Sequence, residues 1–250
     1  MMPASAGGPA RYVRAVEDLL LAWFAEHGRD LPWRRTHDPY AILVSEVMSQ
    51  QTQVERVLPR WQSWLERWPT IEALAAAPTG DVIRGWQGLG YNRRALSLHR
   101  AAQRVASHGW PDDLTELPGV GRYTADAVAS FAFGRPVLPV DVNVARVSER
   151  TGHDFTPAAG QALMDLGKTV CLARVPRCGI CPLAAECPSR GHRFEPSRRQ
   201  GPFEGSFRQR RAAALRAVVA GSQPRDAEAV AALARDGLVR VDGGTVSLPR

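Results

Sequence analysis

The sequence predicts an all-α fold over its first 190 residues and a small α/β module at its end. Two observations support this prediction. Apolar residues recur at the three- and four-residue spacing of amphipathic helices, and the alternation typical of strands is missing from this region. Proline and glycine separate the apolar runs at short intervals, as they do between packed helices.

The predicted helices follow one another with short breaks. The first carries Val16, Leu20 and Phe24 at helical spacing and ends at Gly28. A second begins near Tyr40, after the break at Leu31-Pro32-Trp33. Further helices are predicted over residues 54–68, 81–87, 93–107, 123–133, 142–150 and 158–170.

The composition changes after Cys187, where Arg, Pro, Ser and Gly become frequent. Residues 191–206 are therefore predicted to be a basic linker. Residues 207–250 contain two helical stretches, near 208–220 and 226–235, and then two short strands around Asp242-Gly243-Gly244. Helix, helix and hairpin indicate a winged-helix-like module, and its small size predicts that it packs on the main domain or on DNA.

The chain is basic, with a net charge of +7. Most of the excess lies between Ser189 and Arg216, where eight arginines face only Glu195 and Glu204. Such a stripe suits a polyanion, because neutralised phosphates release counterions. A solvated linker is the alternative explanation of the same residues. The arginines are Arg190, Arg193, Arg198, Arg199, Arg208, Arg210, Arg211 and Arg216.

Targeting signals are not evident in the sequence. No stretch reaches the roughly 20 apolar residues that would span a bilayer, and Met1 to Ala10 has neither the basic head nor the apolar middle of a secretory signal. We therefore expect a cytoplasmic protein without a membrane partner.

Four cysteines, Cys171, Cys178, Cys181 and Cys187, are the only ones in the chain and lie close together. A cytosolic disulfide pair is disfavoured, so the pattern indicates a metal centre with four thiolate ligands. Zinc and a [4Fe–4S] cluster are both possible. A single CxxC flanked by wider gaps favours the cluster over the paired knuckles of a zinc ribbon.

A glycine-containing turn, Leu117-Pro-Gly-Val-Gly-Arg-Tyr-Thr124, lies between two predicted helices. Gly119 and Gly121 would let the backbone turn tightly and approach a ligand. The helix that follows directs its N-terminal N–H groups at an anion, for which a DNA phosphate is the natural candidate, and Arg122 adds positive charge. A plain helix–helix turn is the alternative.

Two acids lie in apolar surroundings. Glu46 is embedded in Ile42-Leu-Val-Ser-Glu-Val-Met48, and Asp141 precedes a predicted helix, where it could serve as an N-cap. A desolvated Glu has a raised pKa and can act as a general acid, whereas an Asp in a polar setting stays ionised. This pair suits N-glycosidic cleavage, in which a proton reaches the leaving base and an anion stabilises the sugar cation.

These motifs, in this order, resemble the adenine DNA glycosylases of the helix–hairpin–helix superfamily over residues 15–190. The resemblance implies a helix–hairpin–helix glycosylase fold with two helical lobes. Residues 35–140 form one lobe. Residues 1–34 and 141–190 form the other lobe, which carries an iron–sulfur loop. The motifs are Leu31–Arg34, Ser45–Val54, Gly88–Tyr91, Leu117–Thr124, Val140–Val144, Ala162–Gly167 and the cysteine loop.

The resemblance also implies roles for individual residues. Glu46 would protonate adenine and Asp141 would stabilise the oxocarbenium ion, with support from Tyr123 and Asn143. Gln51 and Tyr91 would wedge into the duplex beside the extruded base. Further contacts to DNA or the base are expected from Arg29, Trp33, Gln50, Thr52, Gly119, Val120, Gly121, Arg122 and Gln161. The four cysteines would hold a [4Fe–4S] cluster.

The substrate implied by the resemblance is double-stranded DNA with adenine opposite 8-oxoguanine or guanine. We expect a monomeric, bacterial, nucleoid-associated enzyme of base excision repair. Endonuclease III relatives have a nucleophilic lysine where this chain has Tyr123, and Lys168, its only lysine, does not match that position. The sequence therefore predicts a monofunctional glycosylase that uses water.

Three departures from the family pattern bear on specificity. Ser49 replaces a leucine, and the stretch from Asp141 to Cys171 is short. We expect no counterpart of the large C-terminal domain that reads the opposite base in many members, as in short actinobacterial members. A paralogous glycosylase acting on thymine or uracil opposite guanine, or on another damaged base, is one alternative. A non-catalytic DNA-binding protein and a cluster-based redox sensor are others.

Overall fold

The computed structural model describes residues 9–195 and 201–250 and confirms a mostly helical fold with a small antiparallel sheet near the end. Arg198 and Arg199 of the basic linker lie outside the described residues. The elements are α1 Pro9–His27, α2 Pro39–Ser49, α3 Val54–Arg67, α4 Ile71–Ala75, α5 Thr79–Gly85, α6 Arg93–His108, α7 Arg122–Phe131, α8 Val142–Thr151, α9 Gly160–Thr169, α10 Phe207–Val219, α11 Ala227–Arg235, β1 Arg240–Asp242 and β2 Thr245–Ser247.

Side-chain caps define several helix starts. The Asp38 carboxylate accepts a hydrogen bond from Tyr40 N (3.0 Å), and Pro39 occupies the first turn of α2, where its missing N–H costs nothing. Asp226 caps α11 in the same way through Ala229 N (2.9 Å). Helix α4, which was not predicted from the sequence, begins at a Thr70 cap. These caps satisfy N–H groups that no helical carbonyl can reach.

The chain divides into two compact units. We call residues 9–34 and 129–195 the cysteine unit, and residues 35–128 and 201–250 the hairpin unit. The sequence places the corresponding lobe boundary at 140 rather than 128, and the domain boundaries derived from the sequence stay predictions. Within the described residues, no helix is long and apolar enough to cross a membrane.

Each unit has its own apolar core. In the cysteine unit, Leu20 of α1 and Val147 of α8 are fully buried against Leu163 of α9. In the hairpin unit, the Trp64 ring lies edge-on to the rings of Trp68 and Trp86, with centroids 4.6 and 5.5 Å away. Such edge-to-face packing adds to the stabilisation from area burial.

The C-terminal module packs into the hairpin unit. Leu215 of α10 and Leu233 of α11 share one buried cluster with Ile83 of α5 and Leu96 of α6. In the β-hairpin, Val241 pairs with Val246 across the two strands. Helices α5 and α6 therefore have apolar partners on the module as well as in their own lobe.

Candidate active site and cysteine cavity

Asp141 is the N-cap of α8, as the sequence predicts for its structural role. Its Oδ1 accepts hydrogen bonds from Asn143 N and Val144 N, both at 2.8 Å, and its Oδ2 accepts one from Asn143 Nδ2 at 2.7 Å. The positive end of the helix dipole favours a negative charge there. The carboxylate is half-buried and has one fixed orientation.

Asn143 is in turn oriented by Arg146, which donates to Asn143 Oδ1 at 2.7 Å. The same guanidinium donates to Gly167 O at 2.6 Å and to Cys171 O at 2.8 Å. A chain of hydrogen bonds thus joins Asp141 to the start of the cysteine loop. Two expected site residues, Asp141 and Asn143, are brought together by this arrangement.

Glu46 lies on α2, a helix that is buried on almost all sides. Its neighbours Ser45 and Val47 are buried, whereas Glu46 itself is half-buried. The surroundings match the apolar setting expected for a general acid. Because Glu46 belongs to the hairpin unit and Asp141 to the cysteine unit, their joint action on one nucleotide stays a prediction.

Two segments of the hairpin unit have strained backbones. Gln51 (φ 55°) and Tyr91 (φ 47°) are the only non-glycine residues with positive φ in the part of the chain that the structure describes. Residues with a Cβ rarely adopt this conformation. Thr52 Oγ1 donates to Leu89 O (3.3 Å), so the two segments lie side by side.

The glycine turn has two unequal glycines. Gly119 has a φ of 78°, and a Cβ added there would lie 2.5 Å from Ser97 Cβ on α6. Gly121 has no such constraint, because an added Cβ would meet nothing within 4 Å. Gly119 is thus required by the fold, whereas Gly121 leaves open space at the start of α7. This differs from the sequence argument, which gave both glycines the same role.

The remaining residues of the turn differ in exposure. Val120 is buried, and the Arg122 side chain is 80% exposed beside Asp126 (3.0 Å). Tyr123 follows in the first turn of α7. Gln50 Nε2 donates to Thr124 Oγ1 at 3.2 Å, which ties the end of α2 to the same turn of α7.

In the cysteine unit, Arg29 and Arg34 both bind Asp165, whose side chain is fully buried. Arg29 Nη2 lies 2.6 Å from Asp165 Oδ1, and Arg34 Nη1 lies 2.8 Å from Oδ2. Burial alone would raise the pKa of Asp165, but the hydrogen bonds from both arginines outweigh it and hold the pKa below its ordinary value. Asp165 thereby fixes the segment that carries Trp33, which lies in a short 3-10 helix.

Gln161 lies in the first turn of α9 and is half-buried. Trp33 belongs to the same unit. The contacts of Gln161 and Trp33 to a base stay predictions.

The four cysteines line one small cavity that is partly open to solvent. All four are free thiols, and Arg150 and Arg177 share the lining with them. Among the described residues, no group of three His, Cys, Asp or Glu side chains has the geometry to hold a single metal ion.

Thiols in this cavity are partly desolvated. Burial raises the pKa of the Cys181 thiol to about 11. The Arg150 Nη1 atom lies 3.5 Å from Cys171 Sγ and therefore places a positive charge beside this thiol. The same guanidinium also lies over the Phe194 ring, 3.6 Å from the centroid, so the segment after the last cysteine packs on Arg150.

Two functional candidates were missed by the sequence analysis. Asp165 carries the same signal as Glu46, an acid within an apolar run, in Ala162-Leu-Met-Asp-Leu-Gly167. Arg94 carries no local signal that separates it from Arg93, although its side chain contacts both strained segments.

The basic stripe is only partly available to a polyanion. In the C-terminal module, Arg210 pairs with Asp226 (3.0 Å) and Glu228, and Arg211 pairs with Asp236. These acids neutralise much of the charge of α10. The stripe therefore contributes to the fold of the module as well as to the net charge.

Comparison with known proteins gives consistent results. The family model described as HhH-GPD superfamily base excision DNA repair protein matches residues 44–164. The adenine DNA glycosylase of Mycobacterium tuberculosis is 44% identical, over an alignment that covers 82% of this chain and 79% of that protein. The adenine DNA glycosylase of Mycolicibacterium smegmatis is 47% identical, with 66% of each chain covered.

Among solved structures, an endonuclease III trapped as a covalent intermediate with DNA is similar to this chain. The TM-score is 0.61 at 25% sequence identity, and the match covers 71% of this chain and 95% of that one.

Proposed function

Because this chain belongs to the adenine DNA glycosylases of the HhH-GPD superfamily of base excision DNA repair proteins, we propose that it hydrolyses the N-glycosidic bond of adenine mispaired with 8-oxoguanine or guanine. The enzyme is a DNA N-glycosylase. The observation that best supports the proposed reaction is the Asp141 carboxylate, which three donors hold at a helix N-terminus.

In the proposed reaction, the bond between the sugar C1′ and the adenine N9 breaks after the nucleotide has left the stack, since the bond is inaccessible inside the duplex. Glu46 donates a proton to the adenine ring, which makes the base a neutral leaving group. Asp141 stabilises the positive charge on the sugar. Water adds its oxygen to C1′, and its released proton restores Glu46.

The surroundings of the two carboxylates suit this division of labour. Three hydrogen-bond donors hold the Asp141 carboxylate in place at the start of α8. Glu46 is half-buried on a helix whose other residues are mostly apolar and buried, a setting that suits a general acid. Exposed Val140 and Val142 flank Asp141 and give it an apolar rim against which a sugar ring could pack.

A duplex panel tests the substrate. Purified protein is incubated with duplexes that carry A:8-oxoG, A:G, T:G or U:G, and abasic products are revealed by alkaline cleavage. We expect excision of adenine only. Excision of thymine or uracil instead would contradict the proposal and support the paralogous glycosylase.

Two variants test the carboxylates. Glu46→Gln and Asp141→Asn are each expected to slow adenine excision by about 100- to 10,000-fold, the range for a lost acid–base group. Glu72→Gln, an exposed glutamate on α4, is the matched control and should retain full activity. Unchanged rates in both site variants would favour a non-catalytic DNA-binding protein.

We propose that the reaction is monofunctional, because Tyr123 lies where endonuclease III relatives have a nucleophilic lysine. Lys168, the only lysine, is exposed on α9. Borohydride should trap little covalent protein–DNA adduct during adenine excision. Efficient trapping that is lost in Lys168→Arg would overturn this part of the proposal.

The proposed cofactor is a [4Fe–4S] cluster held by Cys171, Cys178, Cys181 and Cys187. Support comes from the shared cavity of four free thiols and from Arg150, whose charge offsets that of thiolates. When bound, the cluster supplies a covalent cross-link of the loop and a redox centre. The chain's own residues hold the loop to α8 through Arg146 and Arg150.

Metal analysis tests this assignment. Anaerobically purified protein should be brown, with about four iron and four sulfide per chain. Cys178→Ser should lose most of the iron. A colourless protein with stoichiometric zinc would contradict the cluster.

We further propose that the enzyme acts as a monomer in the bacterial cytoplasm, in association with the nucleoid. The net charge of +7 supports attraction to DNA in that compartment. Size-exclusion chromatography with light scattering should give the 27.3 kDa mass of one chain. A stable dimer would contradict the monomer.

A further inference from the structure

Arg94 lies in the first turn of α6 and reaches back to the end of α2. Its Nη1 lies 2.8 Å from Val47 O, 3.0 Å from Met48 O and 2.5 Å from Gln50 O. These are carbonyls of the last helical turn and of the residue that follows it, which lack helical N–H partners. A cation at this end is also favoured by the helix dipole.

The other terminal nitrogen of the same guanidinium, Nη2, binds Thr52 and the segment that precedes Tyr91. Nη2 donates to Gly90 O and to Thr52 Oγ1, both at 3.0 Å, and lies 3.4 Å from Leu89 O. The Arg94 Cζ atom lies 5.6 Å from the centroid of the Tyr91 ring. One side chain therefore binds the residues on both sides of Gln51 and the residues that precede Tyr91.

Gln51 and Tyr91 are the two residues with left-handed backbone conformations described above. Such conformations persist only where surrounding contacts impose them, and they cluster at functional sites. Both residues are the expected wedge residues. The hydrogen bonds of the Arg94 guanidinium go to the segment around Gln51 and to the segment that ends at Tyr91.

We propose that Arg94 is a positioning residue for base extrusion, which locks the Gln51 and Tyr91 segments into one rigid pair so that both side chains enter the duplex together. This inference rests on the proposed function and on the wedge role that the family resemblance implies for the two residues. Arg94 acts through the backbone of both segments and does not itself touch DNA.

The geometry separates this role from that of a phosphate-binding arginine. The guanidinium is part-buried and its donors face carbonyl oxygens of the protein. Burial lowers the pKa of Arg94 to about 10, which leaves it charged at neutral pH. A planar fork can bridge two segments, whereas the point charge of a lysine cannot donate to both in the same way.

Hydrogen exchange on the DNA-free protein tests the lock directly. In Arg94→Gln and Arg94→Lys, amides of residues 50–53 and 88–91 should exchange about tenfold faster or more, because local opening becomes easier. Arg100→Gln, an exposed arginine on the same helix, is the matched control and should leave both segments unchanged. Unchanged exchange in both Arg94 variants would overturn the proposal, whatever the substrate.

Single-turnover kinetics tests the consequence. Arg94→Gln should slow adenine excision and the fluorescence change of an extruded 2-aminopurine by about 100-fold, as expected for a misplaced group. Affinity for an undamaged duplex should stay within about twofold, since no phosphate contact is lost. Rescue of the rate by Arg94→Lys would show that charge alone matters and would overturn the proposal.

A double variant separates positioning from general destabilisation. If Arg94 acts through the wedge, Arg94→Gln combined with Tyr91→Ala should be no slower than the slower single variant. A double variant whose excision rate falls by the product of the two single-variant effects would contradict the proposal. If the unmodified enzyme excises no adenine from any duplex, the proposed function fails, while the exchange result still decides whether the lock exists.

Discussion

At the residue scale, the polar groups proposed for the site also hold the local structure together. Asp141 begins a helix with the same oxygens that would face a sugar cation. Asp165 is fully buried, yet two arginines make it the anchor of the segment that carries Trp33. Buried charges are tolerated only when they are paired and hydrogen-bonded. These residues therefore determine local geometry before any substrate arrives.

The Asp165 anchor gives a stability prediction. Asp165→Asn keeps the side-chain shape but leaves two arginines without their negative partner, so the free energy of unfolding should fall by about 3–5 kcal/mol. Asp81→Asn is the matched control, because Asp81 also binds two arginines, Arg67 and Arg84, but at a more exposed site. That variant should cost less than about 1 kcal/mol. Urea denaturation measures both, and equal losses would contradict the argument.

At the element scale, the glycine turn and α6 belong together. Gly119 can pack against Ser97 of α6 only because it has no side chain. The same helix carries Arg94 at its start and the buried His99 further along. Helix α6 is thus the element against which the turn and the two strained segments are held.

The two glycines of the turn are expected to respond differently to substitution. Gly119→Ala imposes a positive φ on a residue with a Cβ and a clash with Ser97, and should cost about 1–3 kcal/mol of unfolding free energy. Gly121→Ala should leave stability within about 0.5 kcal/mol. If the backbone at Gly121 approaches a phosphate, Gly121→Ala should weaken DNA binding although the protein stays stable. Fluorescence anisotropy measures the affinity for DNA. Equal stability losses would contradict the geometric distinction.

His99 predicts acid sensitivity of the hairpin unit. Burial lowers the pKa of His99 below its ordinary value, so the unfolded chain binds a proton at a pH where the folded chain does not. Stability should therefore be lost as the pH falls below about 6.5. Thermal melts of the parent and of His99→Gln between pH 7 and pH 5 check this. The variant should show the smaller decrease in Tm, and identical decreases would rule His99 out as a cause.

At the scale of the whole molecule, the C-terminal module is part of the hairpin unit. Its buried leucines complete the cluster that covers Ile83 and Leu96. Asp236 of the module also lies 3.9 Å from Arg93, directly beside the segment of Tyr91. The module thus supports the helices that hold the expected wedge.

The shared cluster predicts a large effect of one module residue. Leu215→Ala removes a fully buried side chain and should cost about 2–5 kcal/mol of unfolding free energy. The loss should extend to α5 and α6, which hydrogen exchange can resolve. Val241→Ala, at a half-exposed site of the hairpin, is the control and should have little effect. Faster exchange confined to residues 207–250 would contradict a shared core.

The sequence by itself determined most of the helices, the helix–hairpin–helix class, the cysteine loop and the enzyme class. These features depend on residues that are close together in the chain, so apolar periodicity, helix caps and short motifs reveal them. Helix α4 was not predicted, because five residues are too few to show the periodic spacing of apolar residues in a helix.

Only the tertiary structure decided which polar side chains meet. Arg34 and Asp165 are 131 residues apart in the chain, and Arg94 reaches residues 42 to 47 positions earlier. No local pattern distinguishes Arg94 from Arg93, because the difference lies in which direction the helix presents each side chain. Contacts between distant segments depend on packing, and packing is a property of the folded chain rather than of any window of its sequence.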